Sequence, residues 1–369
     1  MLNTNATITI DCSRKSEHSI NPYLFGHFVE DIRDHMEAML AFPLKDMDFE
    51  SDAETKTPVS GSWRAYTNGR NTGYAMEAPA PRHSGRTQRI RILSDDEAYA
   101  GIAQKAALKG PMKYTVRLVA RASIELQYVT VDAVDRRTEE TLGQLRIELA
   151  SHNWQEYEGE LSITRACSDA EIRVYVPAEH PRWIDHVSTG MLWIDNVSLL
   201  PNDSIAMVKR EVIEMTRELN AGMMRLAGNY ISAYHWEHGI GPVLERPVMY
   251  NEAWGGWTSK YFGTDEFIRF CRELQVEPLI CVNDGSGTPE EAAQWIEYCN
   301  GSVDTPMGAL RARNGFPEPY NVKYWEIGNE VWGQWQVGTC TAERFGERTI
   351  VELLAHYGVK VPMTVLVRD

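Results

Sequence analysis

The sequence contains one compact cluster of chemically active residues, Tyr324-Trp325-Glu326-Ile327-Gly328-Asn329-Glu330-Val331-Trp332-Gly333. An apolar, aromatic-rich strand ends in Gly-Asn-Glu, so an amide and a carboxylate stand side by side at its carboxyl end. In an α/β barrel, this end of the strands carries the reacting residues. We expect the tryptophans to shield Glu330 partly from water, and such shielding prepares a carboxyl group to donate a proton. Glycoside hydrolysis requires an acid of this kind.

From about residue 201 onward, the sequence alternates between strand and helix patterns. Short apolar runs predict buried strands, and a polar amide or acid follows each of them. Amphipathic segments with capping residues predict helices between them. The predicted strands are 223–226, 278–282 and 322–327, and the predicted helices are 204–219 with Ser204 as N-cap, 265–274 capped by Thr264, 289–299 capped by Thr288, and 341–356. This alternation predicts parallel βαβ units.

Two stretches with other patterns precede this region. Residues 20–31 contain a short apolar run that predicts a buried strand with Glu30 and Asp31 at its carboxyl end. Residues 6–10 predict a further strand. From about 45 to about 202, short segments alternate apolar and polar residues and predict an antiparallel β-sandwich. These segments are 88–93, 114–119, 125–129, 171–176 and 191–199.

We therefore predict an α/β protein, namely a partial (four-strand) TIM barrel with an inserted antiparallel β-sandwich (jelly-roll) domain. Its strands end at Glu30, Asn229, Asn283 and Glu330, so polar groups recur at the carboxyl end of every barrel strand. The predicted domains are 1–44 (an N-terminal strand and the first barrel strand), 45–202 (the inserted sandwich) and 203–369 (the remainder of a truncated barrel).

Composition narrows the classes of partner. The 369 residues carry a formal net charge of −15, which argues against nucleic acid or an anionic membrane as a partner and is compatible with a neutral sugar. The six cysteines have no CxxC spacing and no accompanying histidine cluster, so we expect no metal and no other cofactor. The first residues lack a basic region followed by an apolar run, which favours a cytoplasmic protein.

Several segments together resemble a known family. In chain order they are Gly26–Glu30, Tyr234–Pro242, Arg246–Met249, Phe262–Phe267, Glu277–Asn283 and Lys323–Glu330. They are similar to the α-L-arabinofuranosidases of glycoside hydrolase family 51, and the similarity covers about 20–44 and about 203–345. The segments Gly101–Gln104, Trp154–Tyr157 and Leu192–Leu199 resemble a carbohydrate-binding module of the family 4/9 type.

The resemblance implies roles for individual residues. Glu330 corresponds to the general acid/base, and Asn329 to the amide that holds a sugar hydroxyl. Glu30 corresponds to a carboxylate that binds arabinose hydroxyls, Asn229 lies in the substrate loop after the second strand, and Trp254 lies in a loop that lines the pocket. The implied reaction is the retaining release of terminal α-L-arabinofuranose from arabinose-containing oligosaccharides and polysaccharides.

The chain departs from the family in two places. Arg225-Leu226-Ala227-Gly228 stands where the family has Arg-x-Pro-Gly-Gly, one residue longer, which leaves the role of Arg225 open. The resemblance also places the nucleophilic glutamate on a later strand than the four found here, so we expect the nucleophile to be absent from the chain. The tail from about Ile350 no longer follows the family, and we interpret it as a truncation or a shifted reading frame. We expect the chain alone to be weakly active or inactive.

Other interpretations stay open. Glu330 could be a surface cap or an ion-pair partner, Glu326 is interpreted as a structural polar residue, and Trp254 and Trp257 could be core residues. Alternative functions are a carbohydrate-binding protein without turnover, and an endo-glucanase or xylanase on a related barrel. Half a barrel would expose apolar strand edges, so a non-functional fragment or a homo-oligomer is a further alternative.

Overall fold

The computed structural model of the chain describes residues 11, 13, 17–53, 57–70, 72–78, 85–93, 99–123, 126–177 and 189–347. The predicted strand over 6–10 and the tail from 348 onward lie outside these residues. Among the described residues, no helix is both long and apolar enough to cross a membrane.

Strands alone occupy most of the region before residue 202, whereas strands and helices both occur after it. The strands are β1 (Gly26–Val29), β2 (Arg64–Thr67), β3 (Gly73–Glu77), β4 (Thr87–Leu93), β5 (Ala100–Leu108), β6 (Met112–Ala122), β7 (Tyr128–Asp135), β8 (Thr141–Glu148), β9 (Gln155–Ile163), β10 (Cys167–Val176), β11 (Thr189–Pro201), β12 (Met223–Leu226), β13 (Val248–Tyr250), β14 (Trp257–Ser259), β15 (Glu277–Val282) and β16 (Tyr324–Ile327). The α-helices are α1 (His35–Met39), α2 (Arg210–Glu218), α3 (Thr264–Leu274), α4 (Pro289–Asn300), α5 (Pro306–Arg313) and α6 (Ala342–Glu347).

A parallel sheet of four strands, in the order β1-β12-β15-β16, positions the candidate site. Val29, Leu226, Ile280 and Trp325 lie in register across it. The carboxyl ends of all four strands therefore meet at one rim of the sheet. The predicted parallel arrangement of these strands is confirmed.

The prediction of a buried first strand is wrong for most of β1. Residues 26–28 are exposed, and only Val29 is buried. The reason is that β1 is an edge strand of the described sheet and pairs only with β12. A side chain on an edge strand has a neighbouring strand on one side only. Phe28 therefore stays half exposed, at 53%.

The structure tests the predicted first residues of α4 and α2. Thr288 accepts a hydrogen bond from the backbone N–H of Glu291 (3.2 Å), which confirms it as the cap of α4. The prediction for α2 is wrong at its start, because the left-handed residues Ala206 (φ 52°) and Met207 (φ 60°) interrupt the helix and delay it to Arg210.

The cap predicted at Thr264 is also wrong, because the N-cap of α3 is Gly263. The hydroxyl of Thr264 instead accepts a hydrogen bond from the indole of Trp295 (2.9 Å). The side chain of Glu266 accepts the backbone N–H of Gly263 (2.9 Å) and completes the helix start.

Residues between the first and second parallel strands form two antiparallel sheets of five strands, β2-β5-β10-β7-β8 and β3-β4-β11-β6-β9. Inward residues such as Ile102 and Val174 from the first sheet, and Ile90 and Leu118 from the second, belong to one buried apolar core. The chain is thus a mixed α/β protein with one parallel and several antiparallel sheets. The predicted domain boundaries stay predictions.

Hydrogen bonds of the backbone attach these antiparallel sheets to the segment after β1. Val197 in β11 donates to the carbonyl of Met47 (2.9 Å), and Lys209 donates to the carbonyl of Met39 (3.0 Å). The loop after β1 therefore returns to the start of α2, and the two parallel strands β1 and β12 lie side by side although almost 200 residues separate them.

Candidate active site

Glu30 lies immediately after β1 and is held by two donors. The backbone N–H of Asn229 and the indole Nε1–H of Trp254 both donate to its Oε1, each at 2.7 Å. Gly228 makes this approach feasible, because a β-carbon added there would lie 2.1 Å from Cδ of Glu30. The backbone of Gly228 is also left-handed (φ 112°), a conformation that glycine adopts readily. The side chain of Glu30 is buried nevertheless.

Asn229 connects Glu30 to the loop after β16. Its Oδ1 accepts hydrogen bonds from the amides of Asn329 (3.0 Å) and Gln336 (2.8 Å). Asn329 and Gln336 are both buried. The structure thus brings together four of the predicted site residues, Glu30, Asn229, Trp254 and Asn329. Sequence reasoning missed Gln336, whose only signal is its place six residues after Glu330 in the same loop.

Arg225 in β12 completes this network. Its Nε donates to Glu326 (2.5 Å) and its terminal nitrogen donates to Oδ1 of Asn329 (2.9 Å). Arg225 therefore fixes which way the Asn329 amide points, although the following loop is shorter than in the resembled family. Burial lowers the pKa of the Arg225 guanidinium, but the bond to Glu326 more than offsets this and raises the pKa. This contact agrees with the interpretation of Glu326 as a structural polar residue.

Glu330 is next to this network in the chain but differs from it in environment. Its side chain is exposed, and the indole Nε1–H of Trp335 donates to its Oε2 at 3.3 Å. Trp332 and Trp335 pack edge to face with ring centroids 5.0 Å apart, and both are largely exposed. The expectation that tryptophans shield Glu330 from water is therefore wrong in this structure. Among the described residues Glu330 forms no ion pair.

A tight turn sets the direction of Glu330. Gly328 (φ 71°) and Glu330 (φ 48°) are both left-handed, and the carbonyl of Glu330 accepts the N–H of Gly333 (2.7 Å). A glutamate with positive φ is uncommon and is observed where the surrounding structure holds it. The chain therefore turns sharply at the rim, and Asn329 points inward while Glu330 remains in water.

Asp31 occupies a different environment from its neighbour Glu30. It is buried and forms an ion pair with Nζ of Lys260 (2.9 Å), and its Oδ2 also accepts the hydroxyl of Thr258 (2.9 Å). Its backbone carbonyl accepts the side-chain amide of Asn251 (2.7 Å). Asp31 therefore anchors β13 and β14 to the end of β1.

An asparagine side chain closes the turn after β15. Oδ1 of Asn283 accepts the backbone N–H groups of Gly285 (3.0 Å) and Ser286 (3.1 Å). This is a tight βα turn closed by an asparagine side chain. The segment closes the rim between β12 and β16.

Comparison with known proteins adds to this geometry. Residues 215–358 match the model of the α-L-arabinofuranosidase 1 domain, beyond residue 350 where we expected the similarity to end. A probable α-L-arabinofuranosidase C of Aspergillus fumigatus is 47% identical over 141 residues, which are 38% of this chain and 28% of that protein. Residues 215–358 are thus similar to a domain of known α-L-arabinofuranosidases.

Two further comparisons extend this finding. The intracellular exo-α-L-arabinofuranosidase of Bacteroides ovatus is 38% identical over 164 residues, which are 43% of this chain and 32% of that protein. The chain thus spans about a third of the length of the curated relatives it matches. The match to the structure of the arabinose-bound MgGH51 α-L-arabinofuranosidase covers 94% of this chain and 59% of that protein's chain, with a TM-score of 0.76 and 18% identity. This likeness shows the fold alone.

Proposed function

We propose that the rim of the parallel sheet is the sugar-binding and acid/base part of a retaining α-L-arabinofuranosidase, which releases terminal arabinofuranose from arabinose-containing oligosaccharides and polysaccharides. One observation carries the proposal. Glu30, Asn229, Trp254 and Asn329 form a single hydrogen-bonded network directly beside Glu330. The supporting comparison is the domain match over residues 215–358.

Recognition of the sugar would rest on the buried network. Oε1 of Glu30 is occupied by two donors, and within the described residues its Oε2 has no hydrogen bond. A carboxylate oxygen in that position accepts hydrogen bonds from sugar hydroxyls strongly, because it is charged and its carboxyl group is already fixed. The Trp254 indole beside it provides an apolar wall, and Asn329 keeps one amide hydrogen for a hydroxyl after donating the other to Asn229.

Glu330 would act on the glycosidic oxygen. In a retaining reaction the acid protonates the leaving oxygen while a second carboxylate attacks the anomeric carbon, and the first residue then deprotonates the water that releases the sugar. The two carboxyl groups stand about 5–5.5 Å apart in such enzymes. We assign no described carboxylate to the nucleophile. The turnover proposed here therefore belongs to the protein in a form that supplies a second carboxylate at this rim.

A second candidate function is sugar binding without turnover. It is favoured by the contrast between the assembled network around Glu30 and the exposed Glu330. In this case the chain would bind arabinose-containing glycans, and replacing Glu330 by glutamine would leave that binding unchanged.

The finer architecture is part of the same proposal. We infer that the four parallel strands are half of a TIM barrel, and that 45–202 is an inserted sandwich between 1–44 and 203–369. Support comes from the parallel order of the strands and from the polar residues at their carboxyl ends. We also propose a cytoplasmic location, which is supported by the intracellular relative of Bacteroides ovatus.

A chromogenic aryl α-L-arabinofuranoside tests the proposed reaction. In a form of the protein that supplies the second carboxylate, we expect hydrolysis to fall by about 10²–10⁴-fold in Glu330→Gln, since general acid catalysis contributes about that much. The first product that this form releases, observed by NMR, should be the α-anomer of arabinose. Hydrolysis that survives Glu330→Gln unchanged would refute the assignment of Glu330. Glycan binding with no detectable hydrolysis, even in the form that supplies the second carboxylate, would select the second candidate.

A further inference from the structure

The hairpin of β13 and β14 carries Trp254 at its tip. Oδ1 of Asn251 accepts the backbone N–H groups of Ala253 (3.2 Å) and Trp254 (3.1 Å). Two left-handed glycines, Gly255 (φ 74°) and Gly256 (φ 89°), close the turn, and Asn251 donates its backbone N–H to Gly256 (2.9 Å). The tip is thus a compact turn that directs the Trp254 indole to Glu30.

The stem of this hairpin is fixed by the residue next to Glu30. Asp31 binds the hydroxyl of Thr258 and the ammonium of Lys260, both from β14 and the residue after it. Successive residues of a strand point to opposite faces. Because Thr258 points inward to Asp31, its neighbour Trp257 points outward into water.

Trp257 forms an exposed aromatic pair with Tyr250. The two residues lie opposite each other in the hairpin register, with ring centroids 5.8 Å apart and ring planes at 73°. Trp257 is 71% exposed and Tyr250 is 51% exposed. Two large aromatic rings held in water on a rigid support indicate a binding surface, since burying either ring would be strongly favourable.

We propose that Tyr250 and Trp257 form a stacking platform for the main-chain sugar that bears the arabinofuranose. This inference rests on the proposed function of the Glu30 network. Trp254 and Trp257 are three residues apart, so their Cα atoms lie within about 11 Å of each other. A glycan whose terminal sugar contacts Glu30 therefore has its next sugar residues within reach of the platform.

The chemistry of the platform fits a neutral glycan. The apolar C–H face of a sugar ring packs on an aromatic face, and the polar tips of tyrosine and tryptophan donate hydrogen bonds to its hydroxyls. The chain carries a net charge of −15, which disfavours an acidic occupant. The Glu30 network would then select the terminal sugar, while the platform would select for a polymer over a free monosaccharide.

Binding measurements with the full chain test the platform. The probes are free L-arabinose, arabinoxylan and arabinan, and the variants are Trp257→Ala, Tyr250→Ala and Trp257→Phe. We expect Trp257→Ala to weaken binding of at least one polysaccharide about tenfold and to leave the affinity for L-arabinose unchanged. Trp257→Phe should recover most of the loss, because it restores an aromatic face. Met215→Ala is the matched control, since Met215 in α2 is equally exposed at 68% but lies outside the hairpin.

Several outcomes would overturn the platform. If L-arabinose binds and neither alanine variant changes the affinity for either polysaccharide, the platform is wrong while the proposed function stands. If polysaccharide binding depends on Trp257 but L-arabinose does not bind, the platform stands and the arabinofuranose site is wrong. If the wild type binds no polysaccharide, the platform is wrong. If light scattering finds that Trp257→Ala converts a dimer into a monomer without changing glycan affinity, the surface belongs to a second copy of the chain.

Discussion

Two adjoining parts of the candidate site are held in very different ways. Glu30, Asn229 and Asn329 are buried or half-buried and are connected by hydrogen bonds that begin at Arg225. Glu330 follows Asn329 directly and is exposed, with one long hydrogen bond from an indole. The sheet itself therefore orders the groups proposed to recognise a sugar, whereas it leaves the proposed proton donor in water. Three experiments test this contrast directly, and a fourth tests a buried carboxylate away from the rim.

The largest effect is expected from Gly228→Ala. The added methyl group would collide with the Glu30 carboxyl group, and the left-handed backbone would be strained. We expect a loss of about 3 kcal/mol or more in the free energy of unfolding, together with at least tenfold weaker binding of L-arabinose. Gly315→Ala is the control, because Gly315 is also left-handed (φ 97°) but has no atom within 4 Å of an added β-carbon. That variant should lose only about 1 kcal/mol and no affinity. Unchanged arabinose binding in Gly228→Ala would remove the basis for a Glu30-centred site.

A pH effect of similar size should arise away from the rim. Burial raises the pKa of Asp265 in α3 to about 6, even though it accepts hydrogen bonds from Tyr298 and Tyr320. Between about pH 4 and pH 6, the folded protein keeps a proton that the unfolded chain has released. Stability therefore falls as pH rises through this window, by up to about 3 kcal/mol.

Asp265→Asn should abolish that part of the dependence, because asparagine resembles the protonated acid. The measurement is the unfolding free energy or the melting temperature of both proteins from pH 4 to pH 7. Replacing the exposed Asp304 by asparagine is the control and should leave the profile unchanged. If wild type and Asp265→Asn have parallel profiles, the pH dependence comes from other carboxylates, and Asp48, whose pKa burial also raises to about 6, would be the next to replace.

A smaller effect is expected from Arg225→Met. The variant leaves Glu326 without its partner and frees the Asn329 amide to rotate. Both ion-pair partners are partly exposed, so we expect a loss of about 1–2 kcal/mol in the free energy of unfolding, and a several-fold weaker affinity for L-arabinose. Arg225→Lys keeps the charge but lacks the forked guanidinium that reaches both partners. Its unfolding free energy and its affinity for L-arabinose should lie between those of the wild type and Arg225→Met. Full affinity in Arg225→Met would indicate that Asn329 is oriented by other contacts.

The smallest structural effect is expected from Glu330→Gln. The side chain is exposed and has one weak partner, so the unfolding free energy should stay within about 0.5 kcal/mol of the wild type. The affinity for L-arabinose should also be unchanged, and only hydrolysis should fall. A variant that melts several degrees lower would mean that Glu330 is packed in solution, contrary to the contrast described above.

The sequence predicts the parts of this molecule that depend on local pattern. Short apolar runs that end in polar residues predict the parallel strands. A threonine before Pro289 predicts the start of α4. Thr305 stands before Pro306 in the same way and caps α5, so the same pattern predicts that helix as well. The position of the candidate site can also be predicted, because the carboxyl ends of parallel strands lie at the same rim of the sheet.

Features that depend on distant contacts could not be predicted. Gln336 joins the site through Asn229, which is more than 100 residues earlier in the chain. The cap of α3 shifts because Trp295, far along the sequence, binds the hydroxyl of Thr264. The exposure of Glu330 depends on a left-handed turn that Gly328 permits but does not require. In each case the tertiary environment decides what a local pattern leaves open.

The outer edge of β16 has a consequence of its own. In the described sheet this strand pairs only with β15, so one row of its backbone N–H and C=O groups remains available. A visiting strand that aligned in parallel along this row would lie about 4.8 Å away. Its last residue would then arrive at the same rim as Glu330, and water around that side chain would be displaced by protein.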